Sequence, residues 1–393
     1  MSRPRRRGRR PLPIAGALAS LTILFLEAGP SGCGQPPGNS NLDGGLDALA
    51  ACPPYDAVIS SPVPIRIEGL EDVVDVAAGW DHHCAVTGSG EVYCWGSNCY
   101  GALGNDIMTR SATPVLVEGI PPAKRVFVPR GGWRASCAFT TDRQVWCWGL
   151  GDEVINGTPT SVHEQYDIVE MSMGGQHICY LDPMHTLMCW GSNTWDQLGL
   201  GENAPRLITT PVEPIGDYQF DSVYCSTWHT CAATIEGLLL CWGDAPLPGR
   251  QAAPMEVEVV PPIQSFGAGF FHDCLVDGDG NVWCWGSNSA GQIGAGAIGL
   301  GQSTSRFIQQ PDVEDATEVA PGAYSTCALL QDGTVTCWGS DFYGQRGDGE
   351  IDQNLGNGPS MVVGLDDALK ISSGKYLVCV ISSDGSLWCW GEG

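Results

Sequence analysis

From residue 73 onward the apolar side chains fall into short runs broken by turn residues, and no stretch keeps a helical period past a turn or two. The first stretch reads Val73-Val-Asp-Val-Ala-Ala78, then Cys84-Ala-Val86, then Val92-Tyr-Cys-Trp95. The second and third runs are apolar on both faces, with Cys84, Val86, Val92 and Cys94 on one side and Ala85, Tyr93 and Trp95 on the other. Strands of that kind lie between layers and not at a half-solvated surface. A tight turn joins them. In later stretches it reads Asp279-Gly280, Asp332-Gly333 and Asp384-Gly385, and Gly suits the left-handed slot that closes a three-residue hairpin loop. A further run follows each hairpin, as in Pro114-Val-Leu-Val117, Pro211-Val212 and Met361-Val-Val363. The pattern occurs seven times, with about four strands each time. Seven sandwiched four-stranded units predict an all-β fold, a seven-bladed β-propeller. The last unit stops at Trp390-Gly-Glu-Gly393 without its fourth run, and an unused one, Ser61-Pro-Val-Pro-Ile-Arg-Ile67, precedes the first unit. The N-terminal strand is therefore expected to complete the seventh blade and close the ring.

Cysteines mark the same units. Cys84 and Cys94, Cys137 and Cys147, Cys179 and Cys189, Cys231 and Cys241, Cys274 and Cys284, Cys327 and Cys337, and Cys379 and Cys389 are each ten residues apart, and the second of each pair opens Cys-Trp-Gly. Across a three-residue hairpin the two face each other, which is the proximity a cross-strand disulfide requires. Seven disulfides of this kind are expected, as scaffold. No metal site and no cofactor are expected: structural zinc wants two close Cys or His pairs, and only Cys94 and Cys99 fall that close together.

The N-terminal region is a separate matter. Six arginines within residues 1–10, an apolar stretch from Ile14 to Leu26 and a small turn-like segment ending in Cys33 have the layout of a secretory signal, residues 1–33. Cys33 after Ser31-Gly32 resembles the lipidation site of a bacterial lipoprotein; a transmembrane anchor and a twin-arginine signal are weaker readings. Residues 34–54 read as a flexible linker and 55–393 as the propeller. Export to the cell envelope or beyond suits the 18 cysteines, since disulfides persist in oxidising compartments. Removing residues 1–33 takes away six arginines and one glutamate and moves the net charge from −25 to about −30. So acidic a surface repels phosphate backbones and anionic head groups. Nucleic acid is not expected as a partner, nor membrane except through a lipid on Cys33.

Val-x-x-x-Gly-x-x-His-x-Cys-Ala, then Asp-Gly, Cys-Trp-Gly-Ser-Asn and Gly-Gln-Leu-Gly together resemble the regulator of chromosome condensation repeat. Its second half is clearest in Trp285-Gly-Ser-Asn288 with Gly291-Gln-Ile-Gly294. The resemblance implies a seven-bladed propeller over about residues 60–393, in an exported, disulfide-rich branch. Two units depart from the pattern after Trp148-Gly149 and Trp242-Gly243, so blades two and four are expected to have clipped outer loops. The family histidine stands at His82, His177, His229 and His272, where structural hydrogen bonding is expected. In six of the seven units an aromatic residue sits in the loop just before the hairpin: Trp80, Trp133, Trp228, Phe270, Phe271, Tyr324 and Tyr376. Aromatics gathered in loops on one end have the character of an interface. Secreted propellers of the β-lactamase inhibitory protein II type are similar in layout and imply a protein-binding face; packing between neighbouring loops is the competing reading.

The function expected on these grounds is an extracytoplasmic binding or scaffold module for a protein partner, monomeric and without catalytic activity. The alternatives are a propeller enzyme, a lyase or hydrolase with its site at the central channel, and a guanine-nucleotide exchange factor, which the family name alone suggests. A second aromatic set, Tyr100, Trp195 and Tyr343, is expected to pack outer loops. Asp277-Gly-Asp-Gly-Asn281 has the look of a calcium loop but falls on a hairpin turn. Cys225 is expected as a buried free thiol, and Cys52 with Cys99 as a possible clasp.

Overall fold

Each hairpin turns where its sequence requires. The computed structural model describes residues 60–98, 100–131, 134–150, 155–162, 168–247, 249–257, 262–294, 302–352 and 358–393. In the first hairpin Thr87 pairs with Glu91 (N···O 3.0 Å), Gly90 N donates to Thr87 O at 2.8 Å, and Gly90 has φ +85°. Gly237, Gly280, Gly333 and Gly385 repeat that conformation; Arg143 (φ 65°) and His185 (φ 63°) hold it with side chains in the second and third units. The hairpin register sets Cys84 opposite Cys94, and all seven predicted disulfides are present, each with a Cα–Cα distance of 4.1 Å.

All regular structure among the described residues is strand, arranged as seven antiparallel four-stranded sheets. Strand β1 (Ser60–Arg66) stands apart from the first sheet, which comprises β2 (Val73–Ala78), β3 (His82–Thr87), β4 (Val92–Gly96) and β5 (Ser111–Leu116) in that order. β1 instead pairs with the strand Leu387–Glu392, Ser60 opposite Glu392 and Ile65 opposite Cys389. It is the fourth strand of the seventh blade, as expected, so the ring is closed by hydrogen bonds. The seven inner strands line a central cavity of about 240 Å³. The clipped loops are also found: Gly243 to Gln251 and Leu150 to Ile155 are short steps beside Gly96 to Ser111 or Ser287 to Ser303.

Four of the seams between blades repeat one arrangement. The Cys-Trp-Gly tryptophan is buried, and its indole N–H donates to a carbonyl in the outer loop of the preceding blade: Trp148 to Ala102 O (2.8 Å), and Trp242 to Gln197 O, Trp338 to Gln292 O and Trp390 to Gln345 O (each 2.9 Å). The same carbonyl takes a hydroxyl from the residue before the first hairpin cysteine: Ser136 to Ala102 O at 2.9 Å, Thr230 to Gln197 O at 2.8 Å and Thr326 to Gln292 O at 2.7 Å. That hydroxyl also meets the family histidine of the blade before it, His82 Nε2 with Ser136 (2.9 Å), His177 Nε2 with Thr230 (2.8 Å) and His272 Nε2 with Thr326 (2.7 Å). The histidines are thus spread around the ring as seam fasteners. Burial pulls His177 down to about 3 and His272 to about 4, so both stay neutral at physiological pH.

One seam differs. The fourth blade has a clipped loop, and at its junction with the fifth blade a carboxylate takes over. Asp273 Oδ2 accepts from His229 Nε2 (2.7 Å) and from Trp285 Nε1 (2.8 Å), while Oδ1 accepts from Gly269 N (3.2 Å). Asp273 is fully buried, which is tolerable because all of these donors point at it.

Candidate binding face

The loops between the first and second strand of each blade all emerge at one end of the ring. Each is a tight turn: Gly79 N donates to His82 O (3.2 Å), Gly269 N to His272 O (3.0 Å) and Gly322 N to Ser325 O (2.8 Å). A Cβ on Gly79 would stand 2.8 Å from His82 O and 2.3 Å from Val128, so the turn excludes a side chain there and projects the residues that follow.

Those residues are the predicted aromatics, and the structure brings most of them together. Trp228 meets Phe271 at 5.5 Å between ring centroids, Phe271 meets Tyr324 at 5.4 Å, and Tyr324 stacks with Tyr376 at 6.4 Å. The chain continues through Lys375, whose Nζ lies 4.7 Å from the Tyr376 ring and 4.2 Å from the Trp80 ring, and ends with Trp80 against Phe270 at 5.4 Å. Trp80, Trp228, Phe271, Tyr324 and Tyr376 are half-buried, each with a face or edge in solvent, whereas Phe270 is only 1% exposed and serves as packing. Trp133 lies outside the described residues. Tyr343, expected to pack an outer loop, meets Tyr376 at 4.5 Å with its ring tilted by 38° and 39% of its surface exposed, and Phe342 beside it is 44% exposed, so the arc extends outward there. The other two of that set cover arginines: Tyr100 lies under Arg134 (5.4 Å) and Trp195 under Arg250 (5.8 Å).

Charge on this end is sparse and specific. Burial pulls Lys375 below the ordinary lysine range, with Asp81 and Glu392 acting the other way. Burial lifts the Tyr376 hydroxyl well above its ordinary value, and the Tyr343 and Tyr324 hydroxyls lift it further, so the arc is uncharged apart from Lys375. Arg134 pairs with Asp81 at 2.7 Å and Arg250 with Asp196 at 2.5 Å. The arrangement is a continuous apolar band with one cation, suited to burying another protein's apolar side chains.

Some of the loops meet across the ring axis. Arg130 Nη1 of the second blade donates to Pro321 O of the sixth at 2.9 Å, Thr227 Oγ1 of the fourth reaches Arg130 O at 3.5 Å, and the Trp80–Phe270 pair joins the first blade to the fifth. No local pattern in the sequence signals these contacts.

Two trios of potential metal ligands, His177/Cys179/Cys225 and His229/Cys231/Asp273, come close enough to share an ion, but Cys179 and Cys231 are disulfide sulfurs with no thiolate to offer. Cys225 is a buried free thiol, pushed up to about 12 by burial. Asp277 caps its own turn, accepting from Asp279 N and Asn281 N (both 3.0 Å) and from Trp283 Nε1 (2.8 Å), which is hairpin chemistry. Cys33, Cys52 and Cys99, and with them the lipidation site and the clasp, lie outside the described residues.

The regulator of chromosome condensation (RCC1) repeat models match residues 73–102, 263–292 and 317–345, and, in a second register, 89–131, 186–233 and 279–329. Among curated proteins, the chain is 26% identical over 353 residues to the ultraviolet-B receptor UVR8 of Arabidopsis thaliana, covering 83% of this chain and 78% of the receptor. Two solved structures share its fold. Human WBSCR16 superposes with a TM-score of 0.70 at 16% identity, over 89% of this chain and 92% of the other. Prp20p of Saccharomyces cerevisiae does so with a TM-score of 0.68 at 21% identity, over 81% and 82%.

Proposed function

Because the chain belongs to the regulator of chromosome condensation (RCC1) repeat family, we propose that it is an extracytoplasmic protein-binding propeller that grips its partner with the aromatic arc and carries no catalytic activity of its own. The observation that carries this reading is the unbroken line of half-exposed rings Trp228, Phe271, Tyr324 and Tyr376 at one end of a rigid ring. Interface energy concentrates on aromatic residues held in place by their neighbours, and rings fixed by stacking lose little entropy on binding. Relatives support a binding role: the Prp20p structure is described with its binding to Gsp1p and histones, and a second structure has Kap60 bound to yeast RCC1.

The chemistry of the hairpins supports an exported compartment. Seven buried disulfides fit an oxidising environment, which together with the basic-then-apolar N-terminus supports export and argues against exchange on a cytosolic GTPase. Ser60, the first residue of β1, pairs with Glu392 at the aromatic end.

The test compares the native protein with a Trp228→Ala/Tyr324→Ala double variant as bait in envelope extract. A partner captured by the native protein should be lost from the variant, with the fold checked by near-UV circular dichroism. Equal recovery by both would overturn the assignment of the arc.

A further inference from the structure

The cross-axis contacts of Arg130, Thr227, Trp80 and Phe270 stop the central channel at the aromatic end, so its cavity of about 240 Å³ is a pit entered from the hairpin end. The pit is built in levels. Arg130 lines its floor. Among the described residues the guanidinium makes one hydrogen bond, to Pro321 O, and no ion pair. A guanidinium has five N–H donors, so this one is under-used. Burial pulls it down to about 10, only partly offset by Asp273. Above it the wall is aromatic: Tyr224 stacks on Phe266 at 4.6 Å, and Phe127 lies under Arg125 at 5.2 Å.

A belt of charge follows, set by Asp75, Arg125, Glu318 and Lys370, each the third residue of its inner strand, and by Glu170, the first of its own. Asp75 accepts Lys370 Nζ on one oxygen and Val126 N (2.7 Å) on the other. Glu170 Oε1 accepts from Val223 N at 3.3 Å and Glu318 Oε2 from Ile371 N at 3.2 Å. Arg125 and Lys370 are the cations of the belt, so its three carboxylates outnumber its bases by one. Burial holds Glu170 and Glu318 above the usual carboxylate range, which an arriving cation would reverse. The residues just before the belt, Val74, Val169 and Leu369, are 49%, 49% and 66% exposed and leave the entrance open.

The pit therefore has a guanidinium with unused donors at its floor, an apolar middle and one negative charge in excess at its belt. We propose that it binds a short peptide with free termini, the carboxylate on Arg130 and the ammonium between Glu170 and Glu318. Arg125 and Arg130 are five residues apart on one strand and its loop, so their backbones stand at most about 17 Å apart, and side chains reaching inward from belt and floor leave between them the span of a short extended peptide. The site is distinct from the aromatic arc and needs no partner protein.

Calorimetric titration of the oxidised full chain tests this with alanyl-alanyl-leucine and its N-acetylated and C-amidated forms. The free peptide should bind, and each capped form at least tenfold more weakly. Glu170→Gln/Glu318→Gln should bind the free peptide no better than the native protein binds the acetylated one, while still preferring it to the amide. Arg130→Met should abolish the preference over the amide; if that variant does not fold, the capped peptides on the native protein decide. The Trp228→Ala/Tyr324→Ala variant should bind the peptide normally, which separates this site from the arc. Equal affinity for free and capped peptides, or no binding at millimolar free peptide by folded native protein, would overturn the assignment.

Discussion

Replacing Asp273 with threonine should destabilise the propeller even though threonine is what the next seam uses. At that next seam Thr326 serves His272 and leaves the Trp338 N–H to the Gln292 carbonyl. At the seam of Asp273 the preceding blade has a clipped outer loop, and one carboxylate oxygen serves both His229 and Trp285. Threonine can restore the bond to His229 but leaves the buried indole N–H of Trp285 without an acceptor, at a cost of about 1–3 kcal/mol. Alanine removes both, leaving Gly269 N its bond to His272 O, and should cost about 3–5 kcal/mol, the range for breaking a buried charged pair. With an unfolding entropy of about 2.1 cal/mol/K per residue, a domain of this size loses roughly 1.4 °C per kcal/mol. Differential scanning calorimetry at neutral pH under oxidising conditions should show a fall of about 1.5–4 °C for Asp273→Thr and about 4–7 °C for Asp273→Ala. Thr326→Val is the comparison at an intact loop, where Trp338 keeps its carbonyl. If Asp273→Thr melts with the native protein, the carboxylate is not substituting for the missing loop.

Two further outcomes follow from the scaffold. Replacing Cys327 and Cys337 together by alanine should cost about 3 kcal/mol on the chain-entropy model for an 11-residue loop, read as a lower melting temperature with the native circular dichroism spectrum retained; an unchanged melting temperature would mean packing alone holds the hairpin. Acid should destabilise the protein from pH 6.5 downward. His177 and His272 have folded values near 3 and 4, so the unfolded chain takes up protons first and stability falls until those values are reached, by up to about 1.4 kcal/mol per pH unit per histidine. A His272→Gln variant should lose less stability between pH 6.5 and pH 4 in urea titrations than the native protein, and an identical slope would show that His272 is not depressed.

What the sequence revealed follows from how local each feature is. The hairpins were readable because turn glycine, apolar faces and paired cysteines lie within a dozen residues of one another. β1 was readable because the seventh unit visibly lacked a strand. The clipped loops showed as missing Ser-Asn and Gly-Gln-Leu-Gly segments, but their consequence at Asp273 did not, since it required knowing that an indole in the following blade draws on the loop before it. The aromatic positions were found, yet the split between buried Phe270 and half-exposed Phe271, adjacent in sequence, depends on what stands across the axis. The contact from Arg130 to Pro321 joins positions 191 residues apart, and ring closure alone brings them together. The charged belt could have been found by aligning the inner strands: Asp75, Glu170, Glu318 and Lys370 each interrupt an apolar run at the same place.

Every disulfide observed joins two cysteines of a single hairpin, ten positions apart, and none among the described residues ties one blade to another. Among the described residues the propeller is covalently a string of seven closed beads. Such a chain can be oxidised in the order in which it emerges from a translocation pore, each thiol meeting its proper mate before the next bead arrives, so nearest-neighbour pairing guards against scrambling without help from an isomerase. It also means that a bead can be gained or lost in evolution without rewiring the rest, and that tension on the two ends would peel β1 from its neighbour and open the ring while every blade stays stapled.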